Sequence, residues 1–240
     1  KWIVAIAINN LGMTTWQSDI FKEAIQKPQG IILITGPTGS GKTSTLYSAI
    51  KAINTTTKNI VTAEDPIEIK FPSINQVSIN PKIGITFASI MKTFLRQDPD
   101  IMMIGEIRDN NTAEIAIKAA NTGHLILSTL HTNTARDVPN RLKQLGVSDF
   151  NINNNINLIL NQRLIRKLCT HCKTQERSKR CNKCYDGYKG RIGAFEFLRN
   201  KKNRQGDNKS SNENSYSLKQ AIRSKIKSGL TSMEELHRVI

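Results

Sequence analysis

The chain has 240 residues, 35 Lys and Arg against 19 Asp and Glu, and a formal net charge of +16. At roughly 150 residues per domain it holds one or two domains, and its 38% of hydrophobic residues suffice for a real core. No apolar run approaches the ~18 residues that cross a bilayer, and the apolar opening, residues 2–8, is too short and too lightly flanked to read as a signal peptide. The chain begins at Lys1 rather than Met, as expected of an excised domain.

In chain order, residues 31–34 (Ile-Ile-Leu-Ile) read as a short buried strand before a Gly-rich turn. Residues 43–53 follow as a helix, with Leu46, Ala49, Ile50 and Ile53 at helical spacing. Residues 59–63 read as a strand that runs into Glu64 and Asp65 and is stopped by Pro66. A helix over residues 86–96 is broken by Asp98-Pro99-Asp100, and residues 101–104 form the next buried strand. Residues 111–121 predict a helix closed by Gly123, and residues 125–130 a further strand. Strands alternating with helices predict an α/β core with a mostly parallel sheet over residues 1–150.

Beyond it the character changes. Residues 151–157 are Asn-rich, and Ile152, Ile156, Ile159 and Leu160 allow a helix that opens a cysteine-containing segment, residues 151–198. Residues 199–217 are rich in Lys, Asn and Ser and read as a flexible linker. Residues 218–240 return to helical periodicity through Leu218, Ile222, Ile226, Met233, Leu236 and Val239.

The basic excess sits with the cysteines. Residues 163–204 carry 14 Lys and Arg against three acidic residues. Such a patch attracts the phosphates of nucleic acid or of anionic lipid; on composition alone a merely solvated face is an equal reading. Cys169, Cys172, Cys181 and Cys184 form two CxxC pairs, whereas a secreted disulfide framework puts more cysteines into a shorter chain. Four thiolates suit tetrahedral Zn²⁺, which would hold together a small basic lobe with little apolar core of its own. His171 lies inside the first pair, but four thiolates already complete the ligand shell. This cysteine usage reads as cytosolic.

Gly36, Pro37, Thr38, Gly39, Ser40, Gly41, Lys42 and Thr43 match G-x-x-x-x-G-K-[ST], between a strand and a helix. The backbone N–H groups would close around the phosphates of ATP, Lys42 would reach the β- and γ-phosphates, and the Thr43 hydroxyl would bind Mg²⁺. Hydrolysis further needs a carboxylate that orients or deprotonates water. In a parallel sheet the ligand lies at the carboxyl ends of the strands. Asp100 precedes its strand and so lies roughly 15 Å away, at ~3.3 Å per residue. Glu106 follows the same strand and is the leading general base. Glu64, with Asp65 beside it, is the second carboxylate, placed to hold water or Mg²⁺. His131 leaves residues 125–130 at the same edge, where it would sense the γ-phosphate. His124 enters that strand at the opposite end and reads as structural or intersubunit.

Together these motifs resemble the C-terminal ATPase domain of the GspE/PilB family, which powers type II secretion and type IV pilus assembly. The likeness runs from about Leu11 to Ile240. Thr62-Ala63-Glu64-Asp65-Pro66-Ile67-Glu68 resembles its acidic box, and residues 95–109, through Gly105-Glu106-Ile107-Arg108-Asp109, its Walker B region. Thr122-Gly123-His124-Leu125 through Ser128-Thr129-Leu130-His131-Thr132-Asn133 resembles its histidine box. Residues 162–169 lead into its cysteine motif, and residues 229–235 are similar to its closing helix. The resemblance implies a RecA-like core, a hexamer, Mg-ATP hydrolysis and an inner-membrane platform as partner. It implies a cytoplasmic protein peripheral to the inner membrane, with the basic lobe turned to anionic lipid or an acidic platform protein. The family's upstream domain supplies arginines to a neighbour's nucleotide; Arg96, Arg108 and Arg136 are the arginines near these motifs here. Two alternatives remain: a nucleic-acid-dependent ATPase, disfavoured because aromatics are only 5% and no stacking platform appears, and a truncated nucleotide-binding assembly factor with little turnover.

Overall fold

The computed structural model describes residues 6–172, 181–199 and 215–240. The strands are β1 (Gly30–Thr35), β2 (Ile60–Glu64), β3 (Asn75–Ser78), β4 (Ile101–Ile104), β5 (Leu125–Leu130), β6 (Ile156–Leu168), β7 (Tyr188–Arg199) and β8 (Ser215–Tyr216). They form one sheet in the order β3-β2-β4-β5-β1-β6-β7-β8. Pairing is parallel from β3 to β6 and antiparallel from β6 to β8.

Why β1 forms is plain from its residues. All of Gly30–Thr35 is buried, Ile31 and Leu33 in one apolar cluster and Ile32 and Ile34 in the other. A strand covered on both faces reads as a continuous apolar run rather than an alternation. Helices α1 (Thr15–Ile25) and α2 (Lys42–Ile53) cover one face through Phe21, Leu46 and Ile50. The other face carries α3 (Phe87–Phe94), α4 (Asn110–Asn121), α5 (Val138–Gln144) and α6 (Asp149–Asn155), through Met91, Ala116, Leu142 and Ile152.

Three expectations change. The helix allowed through Ile159 and Leu160 stops at Asn155, and residues 156–168 form β6. Leu158, Ile159 and Leu160 pair with Ile32, Leu33 and Ile34, so pairing with β1 overrides a locally helical spacing. The core sheet therefore runs past residue 150 and includes both strands that flank the cysteines. The polar linker is tied at both ends: Arg199 ends β7 and Tyr216 of β8 pairs with Phe197, while residues 200–214 lie outside the described residues. The expected C-terminal helices are α7 (Leu218–Lys227) and α8 (Met233–Val239), separated at Gly229, whose φ of 67° is left-handed. Met233 turns to solvent, leaving Ala221, Ile222 and Leu236 to pack on Ile165 and Ala194.

Helix α8 is pinned by a buried charge. Glu235 is 0% exposed and accepts from the Arg166 amide at 2.7 Å, from Arg166 Nε at 2.7 Å, and from Arg238 Nε and Nη2 at 2.8 and 2.7 Å. Burial alone would raise its pKa, but the bonds from Arg238 and Arg166 outweigh it and bring the carboxyl from its ordinary 4.5 to about 2. A depressed carboxyl stabilises the fold fully above pH 4.5 and loses that contribution as pH falls toward about 2. The melting-temperature difference between the protein and Glu235→Gln is therefore expected to be constant above pH 4.5 and to vanish near pH 2, as a thermal-melt series across pH would read.

Candidate nucleotide site and metal centre

The phosphate loop leaves the carboxyl end of β1 and is shaped against β6. A Cβ on Gly36 (φ 138°) would lie 2.5 Å from the Gln162 carbonyl, and one on Gly41 (φ 87°) 2.9 Å from Gln162 Nε2. Gln162 also accepts from Thr45 Oγ1 at 2.7 Å, joining β6 to the first turn of α2. Helices α1, α3, α4, α6 and α7 are closed by the side chains of Thr14, Thr86, Asp109, Ser148 and Ser217. Helix α2 instead starts from Gly41 without a side-chain cap. Its first amides and the positive end of its dipole thus face the loop, a ready anion site.

Two further observations fit a phosphate chain here. Lys42 Nζ donates to the Gly36 and Pro37 carbonyls at 3.0 and 3.1 Å, so its ammonium already lies over the loop. Burial lowers its pKa, Glu106 opposing and Arg163 adding to the effect. The Ser40 hydroxyl is buried without a hydrogen-bond partner among the described residues.

A cavity of about 500 Å³ opens at this edge, lined by Lys42, Thr43, Glu64, Asp65, Glu106 and His131 among others. Glu106 is nearly buried, pairs with Arg108, and lies 3.4 Å from His131 Nε2. The strand ends that carry these groups are tied together. The Gly105 amide donates to the Ala63 carbonyl at 2.8 Å, and Thr129 Oγ1 donates to the Gly105 carbonyl at 2.7 Å. Asp109, next to Arg108, caps α4 through the Thr112 amide at 2.8 Å.

Glu64 lines the same cavity but is held differently. Its Oε1 accepts from Thr62 Oγ1 at 2.5 Å and Gln76 Nε2 at 2.9 Å, and its Oε2 from the Tyr47 hydroxyl. Tyr47 in turn accepts from the amides of Glu68 and Ile69 at 3.0 and 3.2 Å. Burial and the bond to Glu64 raise the Tyr47 pKa, so the hydroxyl stays a donor.

His124 lies at the far end of β5, its Nδ1 2.9 Å from the Ala119 carbonyl and its own carbonyl accepting from the Gly30 amide. Asp100 is at that end too, accepting from the Asn59 amide at 2.7 Å. Tyr47 and a second cavity escaped the sequence reading. That cavity, about 540 Å³, adjoins the first and is lined by Arg163, Arg166, Arg191 and Arg238 with the loop tip. Both cavities share Thr38, Gly39, Leu164 and Arg191. These arginines come from β6, β7 and α8, and nothing local in the chain marks them as neighbours.

The cysteines meet between β6 and β7. The four Sγ atoms all lie within 4.8 Å of one another, Cys172 and Cys184 at 3.4 Å, with no disulfide. Zinc–sulfur bonds of about 2.3 Å require sulfur–sulfur edges of roughly 3.8 Å, so the donor set fits Zn²⁺. The amides of Cys172 and His171 lower the Cys169 pKa to about 7, whereas the bond to Cys184 and burial raise that of Cys172 to about 12. Residues 173–180, between the pairs, lie outside the described residues.

The family model described as Type II/IV secretion system protein matches residues 2–238. The chain belongs to this family. It is 49% identical over 219 residues to the type IV pilus assembly ATPase PilB of Acinetobacter baylyi, covering 81% of this chain and 38% of that protein. Against the type II secretion system ATPase E of Vibrio cholerae it is 39% identical over 264 aligned positions, covering 97% and 52%. The chain thus spans about half or less of the curated relatives it matches. Among solved structures, the pilus retraction motor PilT with bound ADP shares the fold with a TM-score of 0.78 at 29% identity, covering 100% of this chain and 68% of that one. The mostly parallel α/β core of this ATPase class is therefore the fold of this chain.

Two outcomes are expected. Cys181→Ser loses its bound zinc on metal analysis and melts at lower temperature. Tyr47→Phe leaves Glu64 and the amides of Glu68 and Ile69 short of a partner and costs roughly 1–3 kcal/mol in denaturant unfolding.

Proposed function

We propose that this chain binds Mg-ATP at the phosphate loop and hydrolyses it, as a motor unit of type II secretion or type IV pilus assembly. One observation carries the hydrolytic half. The nearly buried Glu106 stands at the end of β4, within 3.4 Å of His131 and on the same cavity wall as Lys42.

On binding, Lys42 exchanges its loop carbonyls for phosphate oxygens, and the open amides of α2 share the charge. Thr43 would hold Mg²⁺, which neutralises phosphate charge when bound. Glu106 then orients and deprotonates the attacking water, which requires Arg108 to release it; the γ-phosphate is the anion placed to draw Arg108 away. His131 stands beside that carboxylate, and Glu64, fixed by Tyr47, Thr62 and Gln76, adds a second negative wall. The nucleoside end extends past Thr38 and Gly39 into the arginine-lined cavity.

The relatives' names, a pilus assembly ATPase and a secretion system ATPase, support the system. A hexameric ring, an inner-membrane platform and a cytoplasmic, membrane-peripheral position belong to the same proposal. So does contact of the basic cysteine segment with anionic lipid or an acidic platform protein. Among the described residues no helix is long and apolar enough to cross a membrane.

The test is phosphate release from Mg-ATP over a protein concentration series. Turnover is expected to rise cooperatively with concentration and to fall to background in Lys42→Ala. Glu106→Gln should lower kcat by about 10²–10⁴-fold while binding nucleotide within a few-fold of the unaltered chain. Turnover unchanged in Lys42→Ala overturns the proposal.

A further inference from the structure

The arginine-lined cavity and the four-cysteine cluster are joined by one short chain of contacts. Cys169 directly follows β6, and its amide donates to the Gly187 carbonyl at 2.8 Å. The next residue, Tyr188, opens β7 opposite Leu168, with Cys184 four positions before it. The Arg166 guanidinium sits 4.0 Å over the Tyr188 ring, and the Tyr188 hydroxyl shares a 2.5 Å hydrogen bond with Ser232 at the start of α8. Arg166 and Arg238 then grip Glu235 from two sides, and Arg238 Nη2 also donates to the Leu164 carbonyl at 2.9 Å. Arg166, Arg238 and Leu164 are walls of the cavity beside Pro37 and Ser40.

No residue in this chain of contacts touches both ends; its links are backbone and hydroxyl hydrogen bonds at the cysteine end and cation–π and ion-pair contacts nearer the cavity. A cation over an aromatic face holds direction as well as distance. A carboxylate with two arginines and a backbone amide leaves neither guanidinium free to turn. The cysteines lie at the end where β6 meets β7, beyond the Leu168–Tyr188 pair. Their ligand set is complete only when both CxxC pairs are drawn together.

We infer that Tyr188 and Glu235 are positioning residues through which the four-cysteine cluster sets the affinity of the nucleotide site. The inference rests on the nucleotide reading above. Zinc held by the cysteines keeps Tyr188 under Arg166; Arg166 and Glu235 keep Arg238 against Leu164; and the cavity wall that meets the nucleotide is thereby fixed. Coupling of this kind is reciprocal: if zinc tightens nucleotide binding, nucleotide must tighten zinc binding by the same factor.

The reciprocal arm gives a test on the folded, zinc-loaded protein. The readout is the zinc Kd, from equilibrium competition with a chromogenic chelator, with and without saturating Mg-ADP, beside the Kd of a fluorescent ADP. In the unaltered chain Mg-ADP is expected to lower the zinc Kd by at least about fivefold. Tyr188→Leu and Glu235→Gln are expected to abolish most of that shift while still binding zinc. Tyr188→Phe, which keeps the ring beneath Arg166, should retain part of it. One zinc Kd with and without bound Mg-ADP overturns the inference. An equal shift in Tyr188→Leu and Glu235→Gln overturns it too, since general stabilisation of the fold by nucleotide would then suffice. Failure of the zinc-loaded protein to bind fluorescent ADP at all overturns the nucleotide reading as well, which separates the two failures.

Discussion

The contact on which the site depends is the packing of the phosphate loop against Gln162 of β6. Gly36 and Gly41 come so close to this residue that neither position admits a side chain without displacement, and Thr45 bonds to it from α2. Neighbouring Asn161 reaches the other way, donating to the Asn133 carbonyl at 2.5 Å in the loop beyond β5. One strand therefore packs against both the glycine-rich loop and the loop that carries His131. From Gln162 the same strand runs on for six residues to Leu168, roughly 20 Å at ~3.3 Å each, and Cys169 of the four-cysteine cluster follows directly. The glycine-rich loop and the histidine loop thus pack on one strand whose end leads into the cysteines.

The two buried glutamates at the carboxyl edge have opposite surroundings. Glu64 has both oxygens engaged by neutral donors that the fold supplies, so it is held in place. Glu106 has an exposed, long-chained arginine and a half-exposed histidine as partners, both able to move. Hydrogen bonds from buried neutral groups fix direction, whereas an ion pair to an exposed side chain is weak and screened. That asymmetry distinguishes the two carboxylates more clearly than position at a strand end does.

The basic excess also takes on meaning in three dimensions. Arg163, Arg166 and Arg191 lie within the stretch whose charge stands out in the sequence, yet they line a cavity beside the phosphate loop. Arg166 is balanced by Glu235, and Arg163 is held by the side chain of Asn161 and the carbonyl of Asn133. Part of the charge therefore lines the cavity beside the glycine-rich loop, and only the rest is turned to an outside anion.

Much of this was legible in the chain itself, for a physical reason: local signals come from residues close in sequence. The run Ile31–Ile34, the glycines before Lys42 and the carboxylates after their strands are each short patterns, and they place β1, the phosphate loop, Glu64 and Glu106 on one edge. The two CxxC pairs likewise announce their cluster. Tertiary structure alone decided the rest. Ile156, Ile159 and Leu160 sit at helix-compatible spacing yet belong to β6, because this segment pairs with β1 on one side and β7 on the other. Gly229 splits the last helical pattern, and the helix beyond it carries a buried glutamate to Arg166, 69 positions earlier. Tyr47 carries no local mark, since its hydroxyl finds Glu64 and the amides of Glu68 and Ile69 across a fold. Contacts between distant segments leave no periodicity to read, and the contacts that join the four-cysteine cluster to the arginine-lined cavity are of this kind.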